Sequence, residues 1–139
     1  ALPGAPLARD VEAVQLPLYG RIAAGTPIEA LRDSSSFVDV PAGLLGRGEY
    51  YALEVDGDSM INAGIHDGDM LVVDRSLEPH HGKVVVAVIN DELTVKRLER
   101  SAGRVRLLPE NPAFKPIEVP EDASFFIWGV VTNVIHAVD

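Results

Sequence analysis

A chain of 139 residues with 47% hydrophobic and 24% charged residues can bury one core and has the composition of an ordinary globular domain. It has no cysteine, which excludes disulfides, thiolate metal sites and cysteine nucleophiles. A net charge of −9 opposes binding to a phosphate backbone, and no apolar run approaches the roughly 18 residues of a membrane span.

Residues 1–15 are rich in Pro and Ala and read as a flexible, extended N-terminal arm or linker without signal-peptide character. Leu16 to Ile22 alternates apolar residues at 16, 18 and 22, with Gly20 standing in for one, and predicts a strand. It leads into Ala23-Ala24-Gly25-Thr26-Pro27, whose Gly and Pro predict an exposed bend of small residues. Further strands are predicted at Phe37–Val40, Tyr50–Val55, Asp69–Asp74, Lys83–Ile89, Glu92–Leu98, Arg104–Leu108 and Phe125–Ile135. Lys83–Ile89 is β-branched enough to be central in a sheet, and Asn90-Asp91 predicts a tight hairpin turn after it. Helix is confined to single turns at Ala42–Leu45 and Ser59–Ala63. The fold class is therefore mostly β, one compact domain of twisted antiparallel sheets.

Two residues carry possible chemistry. Ser59 follows Gly57-Asp58 in a sharp turn, and Lys96 lies in the run Leu93-Thr94-Val95-Lys96-Arg97-Leu98. A neutral lysine can act as general base for a serine nucleophile. An ordinary lysine is protonated near neutrality, so Lys96 needs a dry setting to lose its proton. Strand alternation places Thr94, Lys96 and Leu98 on one face, beside the most apolar run of the chain. The backbone N–H groups of Asp58 and Ser59 are candidates for an oxyanion hole. The stretch Ile22-Ala23-Ala24-Gly25 leaves room for attack, so enzyme and substrate can be one chain.

Other polar clusters read as structure. His80-His81 precedes Gly82 in a turn and predicts a surface loop, not a metal site. Asp56, Asp58, Asp67, Asp69 and Asp74 lack the EF-hand spacing and read as turn aspartates. Lys96, Arg97, Arg100, Arg104 and Arg106 form a basic cluster, most of it on a hairpin around Ser101-Ala102-Gly103, with no direct nucleic-acid binding expected. No cofactor and no metal are expected.

Taken in order, several segments resemble the LexA/UmuD family of self-cleaving bacterial SOS-response proteins. They are Leu16-Pro17-Leu18, Gly20-Arg21-Ile22-Ala23-Ala24-Gly25, Gly57-Asp58-Ser59-Met60, Gly64-Ile65 with Asp67-Gly68-Asp69, Thr94-Val95-Lys96-Arg97-Leu98, Leu108-Pro109-Glu110-Asn111 and Gly129-Val130-Val131. The resemblance implies Ser59 as nucleophile, Lys96 as general base and Ala24-Gly25 as the bond cut, flanked by Ile22 and Ala23. It implies a homodimer in the bacterial cytoplasm, cut when stimulated by RecA filaments on single-stranded DNA. The implied layout is an arm over 1–15, a strand and cleavage-site loop over 16–30, and a catalytic and dimerisation domain over 31–139.

Within the family, the length and the 24 residues before the cut favour a UmuD-like protein, whose further partner would be an error-prone DNA polymerase. The alternative is the C-terminal autocleavage domain of a LexA-like repressor. Departures from the family's UmuD pattern are visible: Thr26-Pro27-Ile28 follows the glycine. A non-catalytic dimerisation or docking module is the reading from another class.

Overall fold

The computed structural model describes residues 12–23, 25–31 and 36–136. Among them, ten strands join one sheet: β1 (Ala13–Ile22), β2 (Thr26–Pro27), β3 (Ser36–Pro41), β4 (Tyr50–Val55), β5 (Met70–Asp74), β6 (Val84–Ile89), β7 (Glu92–Ser101), β8 (Arg104–Leu108), β9 (Ile117–Val119) and β10 (Phe125–Ile135). The order across the sheet is β3-β1-β4-β5-β10-β6-β7-β8-β9, and β2 pairs with β7. Single 3-10 turns occur at Ile28–Leu31, Ala42–Leu44 and Ile61–Ala63. The mostly β fold is as expected, and β6 is central and buried.

Three details differ from the sequence reading. First, β1 and β4 are parallel, not antiparallel. β3 reverses the chain beside β1, the connection to β4 reverses it again, and β4 enters on the other side of β1. Second, β1 begins at Ala13, inside the stretch read as an arm; residues 1–11 lie outside the described residues. Third, Gly20 is not an apolar stand-in. Tyr19 pairs with Leu53 and Arg21 with Glu54, so Gly20 is the extra residue of a bulge.

The bulge changes which side chains face inward. In an unbroken strand Tyr19 and Arg21 would share a face. With Gly20 looped out, Ile22 joins Tyr19 against the main core and Arg21 turns outward. That core gathers Tyr51, Leu53 and Val55 from β4, Leu71 and Val73 from β5, Val86 and Val88 from β6, and Leu93 and Val95 from β7. The sheet therefore curls until distant strands share one apolar interior. Tyr51 stacks on Trp128 at 4.2 Å between ring centroids, with Tyr19 edge-on at 5.0 Å from Trp128, tying β1, β4 and β10 together.

Both hairpin turns follow their residues. Asn90 and Asp91 have φ of 50° and 66°, the left-handed pair a two-residue hairpin requires, and Ile89 pairs with Glu92 across them. Ala102 and Gly103 repeat the geometry between β7 and β8.

Candidate active site

The site opens on one edge of β7. Along that edge Leu93 pairs with Thr26 of β2, and Arg97 pairs with Leu108 of β8. Among the described residues, Thr94, Val95 and Lys96 between them have no strand partner on this side. The turn carrying Ser59 fills the gap. It is held there by the segment after β8: the Glu110 amide donates to the Ser59 carbonyl at 2.8 Å, and Asn111 Nδ2 donates to the Asp58 carbonyl at 3.0 Å. Glu110 is itself anchored to β7 by Arg97, whose Nε lies 2.6 Å from its carboxylate.

This places Lys96 Nζ 3.2 Å from Ser59 Oγ. Lys96 is only 3% exposed, a rare state for lysine. On the other side of β7 its neighbours across β6 are Val85, paired with Lys96, and Ala87, paired with Thr94, both fully buried. Burial disfavours the ammonium and lowers the Lys96 pKa from 10.5 to about 8. A usable fraction of the free amine then exists near neutrality.

The hydrogen bonds of Nζ set its direction. It also donates to Thr94 Oγ1 at 2.8 Å and to the Val95 carbonyl at 3.1 Å. As an ammonium, Nζ has three hydrogens for three acceptors. As a free amine it has two, which Thr94 and Val95 occupy, and its lone pair is left for the Ser59 hydroxyl. Strand alternation places Thr94 on the lysine's face, whereas its part in aiming the amine carries no signal in the sequence.

Both sides of the small-residue bend are anchored beside these groups. Upstream, Ile22 pairs with Val55 and its carbonyl accepts the Asp56 amide at 2.9 Å. Downstream, the Gly25 amide donates to the Leu93 carbonyl at 3.1 Å, and Thr26 pairs with Leu93. Thr26 Oγ1 donates to the Ala23 carbonyl at 2.7 Å and accepts the Ala23 amide, closing the bend. Gly25 has φ of 85°, which glycine adopts without strain. Ala24 itself lies outside the described residues. The amides of Asp58 and Ser59 have no acceptor among the described residues.

The remaining candidates fall into structural roles. His80 and His81 are exposed, and His81 Nδ1 accepts the Arg100 amide at 3.0 Å. Asp69 and Asp74 are buried and bind turn amides: Asp69 that of His66, Asp74 that of Ser76. Asp67 accepts the Gly57 amide at 2.8 Å, and this bond, with Arg21 nearby, holds its carboxyl below the usual range. The basic cluster is largely neutralised by Arg97–Glu110, Arg104–Glu118 and Arg106–Glu99 pairs. Among the described residues no group of three or more His, Cys, Asp or Glu side chains is placed to hold a metal ion, and no helix is long and apolar enough to cross a membrane.

A family model described as Peptidase S24-like matches residues 17–132, a span containing the bend, Ser59 and Lys96. The chain belongs to this family, the LexA/UmuD group of self-cleaving serine peptidases. Among curated S24-family relatives, the LexA repressor of Paramagnetospirillum magneticum is 54% identical over 122 residues, covering 87% of this chain and 52% of the relative. The LexA repressor of Granulibacter bethesdensis is 54% identical over 120 residues, with 86% and 50% covered. That of Bordetella pertussis is 46% identical over 137 residues, with 98% and 63% covered. The chain thus spans about half the length of the first of these relatives. These likenesses favour the LexA-like alternative over the UmuD-like reading. The UmuD-like expectation rests on chain length and the short run before the bend, and neither bears on sequence likeness.

Proposed function

We propose that this chain is the self-cleaving and dimerisation domain of a LexA-like repressor, which cuts its own Ala24-Gly25 bond with Ser59 and Lys96. The observation that carries the reading is a buried lysine of lowered pKa 3.2 Å from a serine hydroxyl, with both ends of the small-residue bend fastened beside them. Neutral Lys96 takes the Ser59 proton as Oγ attacks the Ala24 carbonyl carbon. The amides of Asp58 and Ser59 are free to receive the oxyanion of the tetrahedral intermediate. Collapse breaks the C–N bond, and the Lys96 ammonium returns its proton to the Gly25 nitrogen. The Ala24 ester left on Ser59 is hydrolysed by water, for which Lys96 is again the base. The products are an Ala24 carboxylate and a Gly25 amine.

In this reading the cut separates the dimerising domain from an upstream operator-binding domain and inactivates the repressor. RecA filaments on single-stranded DNA act by raising the population of the conformer in which the bend is docked. No polymerase partner is proposed. The test is incubation of the purified protein with and without RecA, single-stranded DNA and a nucleotide, followed by mass spectrometry. The expected product begins at Gly25 and accumulates faster with the complete filament. A cut at another bond, or no response to the filament, contradicts the respective part of the proposal.

A further inference from the structure

Cleavage requires the substrate strand to be seated, and one ionic cluster joins that strand to the nucleophile's turn. Arg21 lies three residues before Ala24, turned outward by the Gly20 bulge. Its Nη1 is 3.3 Å from Glu54 Oε2, and its Nη2 is 3.2 Å from Asp56 Oδ1 and 3.5 Å from Asp67 Oδ1. Among the described residues it is the one cation paired with any of these three carboxylates. Asp67 Oδ1 is also the atom that accepts the Gly57 amide, two residues before Ser59. The loop bearing Asp67 is braced independently, by the Gly68 amide on the Val55 carbonyl at 2.8 Å and the Val55 amide on the Asp69 carbonyl at 2.9 Å.

We propose that Arg21 is a positioning residue that latches the substrate strand onto the nucleophile turn through Asp67. This rests on Ser59 being the nucleophile and Ala24-Gly25 the bond cut. When the end of β1 leaves the sheet, one positive charge departs and Glu54, Asp56 and Asp67 are left to repel one another. When it docks, the repulsion is relieved and Asp67 is held where it fixes the Gly57 amide. Seating of the substrate and setting of the turn are therefore one event. The bulge is what makes this possible, since a regular strand would aim Arg21 at the core and Ile22 at solvent.

Each pair is exposed, so each contributes weakly and is screened by salt. Three pairs on one cation correspond to about a threefold to tenfold change in docked population at low salt. The test compares self-cleavage of the wild type, Arg21→Gln and Arg21→Lys from about 0.01 M to about 1 M salt, where the Debye length falls from about 30 Å to about 3 Å. The wild type is expected to slow as salt rises. Arg21→Gln is expected to be about threefold to tenfold slower at low salt and insensitive to salt, with Arg21→Lys between them. The midpoint of the pH–rate profile stays unchanged in both, because Arg21 moves no proton. Arg21→Gln cleaving at the wild-type rate, or keeping the wild-type salt response, overturns the latch. A second measurement needs no cleavage: hydrogen exchange in a Ser59→Ala background. Arg21→Gln is expected to speed exchange of the Asp56 and Gly57 amides and to leave those of β6 and β7 unchanged. Unaltered Asp56 and Gly57 exchange overturns the latch, whereas a wild type that never cuts counts against the serine–lysine reading instead.

Discussion

Replacing Thr94 by valine removes one acceptor from Lys96 Nζ without changing the shape of the side chain. Thr94 is buried, so no solvent takes the place of its hydroxyl. A hydrogen bond from a charged donor is worth about 1.5–3 kcal/mol, and one between neutral groups about 0.5–1.5 kcal/mol. The ammonium therefore loses about 1–1.5 kcal/mol more than the free amine, which is about one pH unit at 1.36 kcal/mol per unit. The pKa of Lys96, already lowered to about 8, falls further. The rising limb of the pH–rate profile moves to lower pH, because the base form appears sooner. The plateau falls nonetheless, by about tenfold to a hundredfold, since the lone pair is no longer aimed at Ser59. Thr94→Ser, which keeps the hydroxyl, retains the wild-type profile. Intact-mass kinetics from pH 6 to 10 measure both features. A limb displaced to higher pH, or an undiminished plateau, refutes the argument that Thr94 orients the amine.

Two further predictions concern stability. Between pH 8 and 10.5 the unfolded chain binds the Lys96 proton more tightly than the folded one, so stability rises with pH through that window. Below it the buried lysine costs about 3 kcal/mol relative to an unperturbed one. In a Ser59→Ala background, Lys96→Met removes this cost, so its stability advantage by denaturant unfolding is largest at pH 7 and shrinks as pH passes from 8 to 10.5; a pH-independent difference contradicts the burial argument. Gly48→Ala places a methyl group into the Asp74 carboxylate, which already accepts the Ser76 amide at 2.8 Å and the Ser76 hydroxyl at 2.7 Å. It is expected to lower stability by about 1–3 kcal/mol, read as the shift of the urea midpoint, and an unchanged midpoint speaks against that contact.

The strands were legible because their signals are local. Val84–Ile89 is continuously apolar, and Asn90-Asp91 can adopt left-handed backbone, so β6, its turn and β7 stand where the residues place them. The pairing of β1 with β4 was not legible, because no local pattern says which side of β1 a later strand will take. Nor was the bulge: Gly20 fits a period of two as well as it fits an interruption, and the two are distinguished by the register against β4 and by Tyr19 and Ile22 packing on one core. β2 and β9 are two and three residues long, below what periodicity can reveal. At the site, Ser59 and Lys96 were readable as chemistry, and their 3.2 Å approach depends on features that carry no chemical signature. Asn111, Glu110 and Arg97 look like turn and surface residues in the sequence. They matter because the chain after β8 returns to grip the Ser59 turn.

The central claim is that Lys96 is the base for a Ser59 nucleophile acting on Ala24-Gly25. It is tested most directly by intact-mass spectrometry of the wild type, Ser59→Ala and Lys96→Ala after incubation across pH 6 to 10. The wild type should split between Ala24 and Gly25, at a rate that climbs with pH through a midpoint near 8, while both variants stay whole. A Lys96→Ala protein that still cuts at that bond, or a wild-type rate that ignores pH, would contradict the account.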